Sequence, residues 1–415
     1  MSAPERTRVA ITGMGVKSPA GNSVDEAYTT IMSAKSAATT VDELVAENAP
    51  VRFACMVPDF PMDGYVSLRE RRQIDRGTQL ALCAAADAVR DADLPTTLPA
   101  ERVGVHLGTG IGGLTSMEAT ALNHGDDPAG IPVHTVPRTM ANSAAARVAM
   151  RYGFQGSCTT YATACASGTT AIGEAARRIR YGELDAVVAG GFDSAITTIM
   201  VAGFARMRAL STRNDAPWSA SRPFDAERDG FVLAEGAAMM VLERWDAAAA
   251  RGARIYGEVA GYAANADAFN IVAPLADGAV AARCMALAIA DAGLGPADIG
   301  HINAHGTSTR SNDSAEAAAI SRCFGATAPP VTSVKGVTGH LIGGSGALEA
   351  CVALVCAERG VVPPVANLAD GDEFDFLDIV TGVPRAVPTA PALSNSFGFG
   401  GQNACLVLTP ALWNS

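Results

Sequence analysis

Residues 161–179 read Tyr-Ala-Thr-Ala-Cys-Ala-Ser-Gly-Thr-Thr-Ala-Ile-Gly-Glu-Ala-Ala-Arg-Arg-Ile, a stretch in which small residues surround one cysteine, Cys165. Apolar residues recur at helical spacing after Ala166, which predicts a helix over about 166–182 with Cys165 at or just before its N-terminus. Unpaired backbone N–H groups and the helix dipole would favour the thiolate there and make it a nucleophile. Gly168 leaves room for another segment or a thioester. The other interpretation is a small buried hydrophobe, the usual place of a free cysteine.

Length and composition limit the class of protein. The 415 residues can form two domains or one fused pair of similar halves, and 49% hydrophobic and 18% charged residues are typical of a globular chain. A net charge of -11 argues against a nucleic-acid partner, since a duplex needs a concentrated basic face. No apolar stretch is long enough to span a bilayer. The nine cysteines form no C-x-x-C pair and follow no signal peptide, which predicts a cytoplasmic protein.

Buried strands and helices alternate along the chain and predict an α/β protein with a parallel sheet, in two halves at 1–250 and 251–415. The expected strands of the first half lie at about 8–16, 103–108 and 185–191, and its helices at about 24–34, 68–93, 137–152 and 166–182. The order then begins again, with strands at about 254–262, 299–303 and 330–334, helices at about 279–292, 314–323 and 344–359, and a glycine hairpin at 392–408. No dinucleotide loop is expected, because Gly13 and Gly15 lack a third glycine, and we predict no cofactor.

Two of the six histidines, His305 and His340, lie in glycine-rich turns after apolar strands, where α/β proteins bind ligands. Zinc is one alternative, since His301 and His305 are four residues apart. However, Ile302 and Asn303 indicate a strand rather than a helix, and no acidic or cysteine ligand has suitable spacing. We therefore predict no metal.

A hydrolase is the second alternative, with Cys165 and one histidine as a cysteine-peptidase-like pair. Two neutral imidazoles fit another task better, because both can donate hydrogen bonds to one thioester carbonyl as an enolate forms. Hydrolysis needs only one base and an activated water. The pair therefore favours carbon–carbon bond formation.

Four motifs together resemble the β-ketoacyl-acyl carrier protein synthases of the elongating type, and most closely the ketosynthase subunits of bacterial type II polyketide synthases. They are Thr-Ala-Cys-Ala-Ser-Gly at 163–168, Asn-Ala-His-Gly-Thr-Ser-Thr at 303–309, Ser-Val-Lys-Gly-Val-Thr-Gly-His at 333–340 and Asn-Ser-Phe-Gly-Phe-Gly-Gly at 395–401. The resemblance covers nearly the whole chain. It implies a duplicated α-β-α-β-α thiolase-like sandwich that works as a dimer.

The resemblance also implies roles for individual residues. Cys165 would accept the acyl chain, and His305 and His340 would bind the malonyl thioester and promote its decarboxylation. Lys335 would pair with an acid, which we expect to be Glu316. The backbone N–H of Phe399 would join that of Cys165 in an oxyanion hole. The substrate is expected to touch four further residues: Ile111, Thr307, Thr309 and Gly398.

The implied partners are an acyl carrier protein and a second subunit. Carrier proteins are acidic, so a local basic surface must offset the negative charge of this chain. We expect Arg69, Arg71 and Arg72 to contribute to it, although helix charge that is simply solvated is the other interpretation. The second subunit would be a homologue like a chain-length factor or, in a homodimer, a second copy.

The pathway rests on indirect signals. Arg310 stands where the family usually has proline, and Gln402 where it usually has threonine. These departures, and an arginine-over-lysine bias that suits a GC-rich genome, favour a type II polyketide ketosynthase in a heterodimer. The alternatives are β-ketoacyl-acyl carrier protein synthase II of fatty-acid synthesis and a non-catalytic partner subunit.

Overall fold

The computed structural model of the protein describes residues 7–95, 97–369 and 371–413. The strands are β1 Val9–Lys17, β2 Thr39–Thr40, β3 Phe53–Ala54, β4 Val103–Gly108, β5 Cys158–Tyr161, β6 Ala186–Asp193, β7 Gly236–Arg244, β8 Gly257–Ala266, β9 His301–Asn303, β10 Val331–Thr332, β11 Val361–Val362, β12 Arg385–Ala386, β13 Ala392–Gly398 and β14 Gln402–Pro410. The helices are α1 Val24–Met32, α2 Asp42–Ala46, α3 Leu68–Arg71, α4 Arg76–Ala92, α5 Leu114–His124, α6 Thr135–Thr139, α7 Ser143–Tyr152, α8 Ser167–Arg180, α9 Thr198–Arg206, α10 Trp245–Ala250, α11 Ala279–Asp291, α12 Arg310–Phe324, α13 Lys335–Thr338 and α14 Ser345–Arg359.

The main sheet has the strand order β10-β9-β13-β14-β8-β1-β7-β6-β4-β5. From its centre outward, each side uses its own first, fifth, fourth, second and third strand, so the two sides have the same topology. Each side is mixed: its inner two pairings are antiparallel and its outer two are parallel. The prediction of a parallel sheet was therefore right only for the outer strands. The two sides join through β1 and β8, at Ala10 with Glu258 and Ile11 with Gly257.

The helices and the two sides of the main sheet form five layers in the predicted order α-β-α-β-α. Each side of the sheet is one of the two β layers. One outer layer contains α4 and α7, which pack on the strands of the first half. The other contains α11, which packs on β8 and β14, and α12, which packs on α11. Between them lie α8 and α14, which contact each other and strands of both halves. Every residue of α14 from Ser345 to Ala357 is buried. The core therefore encloses the helix that follows Cys165 and the helix that follows His340.

The two central helices approach each other at glycines. A Cβ atom added at Gly168 would lie 2.8 Å from the carbonyl oxygen of Gly343, and one at Gly346 would lie 2.1 Å from Oγ1 of Thr169. Real Cβ atoms do not pack at such distances, so only glycine permits this crossing. The close approach of another segment at Gly168 was predicted and is confirmed.

Several predicted helices differ from the observed ones. The single helix expected at 68–93 is two helices, because the Asp75 side chain accepts a hydrogen bond from the Gly77 N–H and caps α4. The helix expected at 137–152 is likewise divided into α6 and α7. Among the described residues, no helix has the length and apolar character needed to cross a membrane.

Candidate active site

Cys165 lies in a one-turn 3₁₀ segment, Ala164–Ala166, between β5 and α8. Ala164 has a φ of 50°, a left-handed conformation that is uncommon for residues other than glycine. The Ser167 hydroxyl stabilises the turn by accepting a hydrogen bond from the Thr163 N–H, at 2.9 Å. The cysteine is 8% exposed, so the turn presents it to a nearly closed space.

The thiol does not have the lowered pKa that its position near a helix predicts. Burial raises the pKa of Cys165 to about 12, although the Lys335 charge and the backbone N–H groups of Phe399 and Cys165 oppose the increase. The cost of removing an anion from water exceeds the stabilisation that this charge and these N–H groups provide. The prediction of a thiolate at neutral pH was therefore wrong.

The structure brings the thiol and both predicted histidines together. One ligand atom each from Cys165, His305 and His340 lies within 4.8 Å of the others. The imidazole rings meet edge to face, with centroids 5.4 Å apart. Burial and the Lys335 charge hold the pKa of both histidines well below 6.5, and for His305 the neighbouring His340 adds to the effect. Both rings are therefore neutral at pH 7.

A buried lysine orients the first histidine. Lys335 Nζ donates to the carbonyl oxygen of His305 at 2.6 Å and lies 3.2 Å from Nδ1 of its ring. An ammonium group can only donate, so Nδ1 accepts and the ring proton is on Nε2. The carboxylate that balances the charge belongs to Glu349 on α14, and both side chains are at most 2% exposed.

The expected partnership of Lys335 with Glu316 was therefore wrong. Glu316 is also buried, but its carboxylate accepts hydrogen bonds from the backbone N–H groups of His305 and Gly306, at 2.8 Å each, and from the Asn395 amide. Burial raises the pKa of Glu316 to about 7, against these hydrogen bonds. It lies on α12, where it holds the backbone of the histidine turn instead of the lysine.

His340 has a different support. Its Nδ1 lies 2.8 Å from Oγ of Ser345. The same oxygen accepts a hydrogen bond from the Leu341 N–H at 2.9 Å. The buried Nε2 of His340 has no hydrogen-bond partner among the described residues. A buried ring nitrogen without a hydrogen bond is costly, so this nitrogen is left available for a ligand.

Backbone donors complete the surroundings of the thiol. Hydrogen bonds from the backbone N–H groups of Phe399 and Cys165 to the sulfur oppose the increase in the thiol pKa. A Cβ added at Gly398 would lie 2.7 Å from the Thr163 oxygen and 3.0 Å from the Cys165 nitrogen. Glycine at 398 therefore lets the hairpin of β13 and β14 reach the nucleophile.

These groups open into a cavity of about 290 Å³. It is lined by all four predicted substrate-contact residues, Ile111, Thr307, Thr309 and Gly398. Apolar side chains form much of the remaining wall: Phe204, Met207, Phe231, Val272, Ile342, Phe397 and Phe399. Polar groups elsewhere in the lining include Arg208, Asp267, Asn312 and Asn403. The cavity can therefore hold a long apolar group with its reactive end at Cys165.

The same three reactive atoms could also ligate a metal ion such as zinc, as a thiolate and two imidazoles do. The zinc site considered from the sequence was a different one, formed by His301 and His305. Those two residues are separated, because His301 lies on β9 in the core whereas His305 lies at the cavity.

The predicted docking arginines lie on or next to the short helix α3. Arg71 forms an ion pair with Asp63. Arg69 and Arg72 are exposed, and no ion pair is found for either within the described ranges. Of the two departures from the family pattern, Arg310 is exposed at the start of α12, next to Thr309, which lines the cavity. Gln402 starts β14 and is half-buried.

Sequence reasoning missed three residues that hold the site: Glu349, Ser345 and Asp193. A signal existed for Glu349, because it is the only charged residue between Ser345 and Ala357, and a charge inside an apolar helix requires a partner. Ser345 and Asp193 carry no comparable signal in a single sequence.

Comparisons with known proteins agree with this geometry. The family model described as "Beta-ketoacyl synthase, N-terminal domain" matches residues 6–248, and the corresponding C-terminal domain matches residues 256–369. The chain is 42% identical over 408 residues to 3-oxoacyl-[acyl-carrier-protein] synthase 2 of Synechocystis sp., covering 97% of this chain and 98% of the relative. It is 41% identical over 414 residues to the Rhizobium meliloti protein of the same name, covering 97% and 98%.

Solved structures give the same result. A type II PKS acyl-carrier protein in complex with its ketosynthase bound to the hexaketide matches with a TM-score of 0.91 and 32% identity, covering 98% of this chain and 100% of that chain. The ishigamide ketosynthase/chain length factor matches with a TM-score of 0.90 and 34% identity, covering 98% and 99%. The fold, the cysteine–histidine geometry and these full-length matches agree: the chain belongs to the beta-ketoacyl synthase family.

Proposed function

We propose that the protein condenses a Cys165-bound acyl chain with a malonyl thioester, releasing carbon dioxide and forming a β-ketoacyl thioester. The observation that carries this proposal is the cluster of Cys165, His305 and His340 within 4.8 Å, in a cavity with an apolar wall. A hydrolase would need an activated water, whereas two neutral imidazoles are suited to binding a carbonyl group.

In the first step Cys165 is acylated. Its sulfur attacks the incoming acyl thioester, the bond from that carbonyl carbon to the carrier's sulfur breaks, and the carrier thiol leaves with a proton. Because the thiol pKa is about 12, little thiolate exists at pH 7. The thiol proton therefore leaves as the new carbon–sulfur bond forms and ends on the departing carrier sulfur.

In the second step the two histidines act on the malonyl thioester. His305 Nε2–H, fixed by Lys335 at Nδ1, and Nε2 of His340 donate to the thioester carbonyl oxygen. The carbon–carbon bond to the carboxylate breaks, carbon dioxide leaves, and the electron pair remains as an enolate. This carbon attacks the acyl-Cys165 carbonyl. The N–H groups of Phe399 and Cys165 would stabilise the oxyanion before the bond to the Cys165 sulfur breaks. The thiolate that leaves takes up one proton, which restores the thiol.

We infer that the thioesters arrive on an acyl carrier protein, as the names of the relatives and the complex with a ketosynthase indicate for those proteins. Of the predicted docking residues, Arg69 and Arg72 are the best candidates, because Arg71 is already paired with Asp63. Reversing the charge of Arg69 and Arg72 should raise the KM for carrier-bound substrate and leave small thioesters unaffected. An equal loss with both substrates would refute docking at this surface.

The acyl chain that the cavity supports best is a reduced, aliphatic one, since Ile111, Phe204, Phe231 and Ile342 line it. An unreduced poly-β-ketone would bury several carbonyl groups against this wall without hydrogen bonds. Fatty-acyl elongation, as the relatives' name 3-oxoacyl synthase 2 suggests, is therefore our first candidate. A polyketide ketosynthase paired with a homologous subunit is the second, favoured by the solved ketosynthase structures and by Arg310 and Gln402.

The proposal is tested with the purified protein alone, an acyl-carrier protein and malonyl-carrier protein. Intact mass should increase by one acyl group at Cys165, and β-ketoacyl product should follow. A protein that gains no acyl mass would be the non-catalytic subunit. Condensation that appears only after co-expression with a homologue lacking the cysteine would favour the polyketide candidate, whereas full activity alone on saturated chains would favour fatty-acyl elongation.

A further inference from the structure

Three separate segments meet at one buried carboxylate beside the cavity. Asp193 ends β6 and is fully buried. Its two carboxylate oxygens accept hydrogen bonds from the Thr109 hydroxyl and from three backbone N–H groups: Gly110 at 2.8 Å, Ile111 at 3.1 Å and Gly343 at 2.7 Å. One side chain therefore ties the loop after β4, in the first half, to the turn before α14, in the second half.

Both tied segments carry wall residues of the cavity. Ile111 belongs to the loop, and Ile342 immediately precedes Gly343, whose N–H donates a hydrogen bond to Asp193. Ile342 has a φ of 51°, a left-handed conformation that a β-branched residue adopts only under strain. The contact is also tight, because a Cβ added at Gly110 would lie 2.7 Å from Cγ2 of Ile342. The hydrogen bond to Gly343 helps to hold this turn against the strain.

We propose that Asp193 is a positioning residue that sets acyl-chain length: its carboxylate holds Ile111 and Ile342 in the wall and so limits how far the chain extends. The inference rests on the proposed function, since it concerns the chain bound at Cys165. Asp193 itself does not line the cavity and touches no reacting atom. Its charge also raises the pKa of the Cys165 thiol, but it acts on chain length only through the two isoleucines.

No uncharged side chain of the same shape can accept all four hydrogen bonds that the Asp193 carboxylate accepts. Oδ2 accepts from both Gly110 and Gly343, whereas Oδ1 accepts from Thr109 and Ile111. An asparagine has the same shape, but its NH₂ group would face at least one N–H donor in either orientation. Burial raises the pKa of Asp193 to about 6, against these hydrogen bonds, so the carboxylate is largely ionised at pH 7.

The test compares Asp193→Asn with the unaltered protein, using acyl-N-acetylcysteamine thioesters of increasing straight-chain length. Acylation is followed by intact mass, and release of carbon dioxide from malonyl-N-acetylcysteamine is measured separately. When Ile342 relaxes, the wall should recede, so long chains gain relative to short ones. We expect the ratio of long-chain to short-chain loading to rise about tenfold, the usual effect of one lost buried hydrogen bond.

A second variant and a control separate this role from general destabilisation. Thr109→Val removes one of the four donors to Asp193 and the acceptor of the Gly112 N–H in the same loop, and it leaves the carboxylate in place. It should therefore fold if Asp193→Asn does not, and it should raise the ratio about threefold. Glu243→Gln neutralises another buried carboxylate, one bonded to Thr12 and Arg251, and should leave the ratio unchanged.

An unchanged or lowered ratio in folded Asp193→Asn, or in Thr109→Val where the first variant does not fold, would overturn the inference. An equal rise in Glu243→Gln would also overturn it. If the unaltered protein gains no acyl mass, the proposed function fails and this inference fails with it. If the unaltered protein loads normally and the variants keep the same length limit, the inference is refuted and the proposed function is not.

Discussion

The turns that precede the two central helices have nearly the same structure and different uses. Each is a one-turn 3₁₀ segment that runs directly into its helix, Ala164–Ala166 into α8 and Ile342–Gly344 into α14. Each begins with a residue in the left-handed region, at φ 50° for Ala164 and 51° for Ile342. Cys165 in the first turn corresponds to Gly343 in the second.

The hydrogen bonds repeat as well. Ser167 accepts from the Thr163 N–H, and Ser345 accepts from the Leu341 N–H, both at 2.9 Å. What differs is the group that faces each turn. The Cys165 sulfur meets an N–H donor of Phe399, just after β13, whereas the Gly343 N–H meets an acceptor, Asp193, at the end of β6. One copy of the turn holds the proposed nucleophile and the other is fixed as part of the scaffold.

The largest expected effect comes from making the two turns alike. Cys165→Gly copies the residue of the second turn, and condensation should fall by about 10⁴-fold or more because no nucleophile remains. Decarboxylation of malonyl thioester should continue, since both histidines are intact. Intact mass and carbon dioxide release measure the two reactions. Cys351→Ala, which removes a buried thiol from α14, is the control and should load normally. Elongation by Cys165→Gly would contradict the assignment.

A second difference is the charge behind the second turn. Glu349 on α14 occupies the position that Ala171 occupies on α8, and it balances Lys335. Lys335→Met should lower the free energy of unfolding by about 3–5 kcal/mol, because it leaves a buried carboxylate unpaired. Denaturant titration measures this. The double variant with Glu349→Met should recover most of the stability and still decarboxylate poorly. Full decarboxylation by the double variant would show that the pair is only structural.

The two serines provide a matched pair with smaller effects. Ser345→Ala removes the group that orients His340 and should slow decarboxylation about tenfold, with acyl loading nearly unchanged. Ser167→Ala loosens the cysteine turn and should show the reverse pattern. Rates of carbon dioxide release and of acylation distinguish the two. Equal losses of both reactions in both variants would mean that the turns are not specialised.

The smallest expected effect is one of pH. The pKa values of His305 and His340 lie well below 6.5, so both rings stay neutral as pH falls from about 8 past 6.5. Decarboxylation by Cys165→Ala should therefore change little over this range, and a half-loss near 6.5 would contradict the buried, neutral pair. Stability should nevertheless decrease below 6.5, because the unfolded imidazoles take up protons there and the folded ones do not. Thermal unfolding at several pH values measures this decrease.

Much of this organisation could be read from the sequence. Strand–helix alternation predicted two similar halves. Small residues before a helical pattern pointed to Cys165, and glycine-rich turns after apolar strands pointed to His305 and His340. The repeat of the turns was not visible, because only Ser-Gly is shared between 167–168 and 345–346. The acid of Lys335 was misassigned, since the choice between Glu316 and Glu349 depends on how two helices pack around the lysine. The predicted lowering of the thiol pKa was also wrong, because the position of a residue near a helix N-terminus does not show how deeply its side chain is buried.

The position of β14 has a consequence for how the protein is made. This strand, Gln402–Pro410, pairs with β13 on one side and with β8 on the other, and β13 and β14 flank the hairpin that carries Phe399. A chain emerging from the ribosome would thus lack an inner strand of its main sheet until residue 410 had been synthesised. Such long-range pairing is slow to form and exposes unpaired strand edges meanwhile. The proposed oxyanion donor, the Phe399 N–H, reaches Cys165 only when this hairpin is in place, so acyl transfer is expected to begin only after β14 has paired.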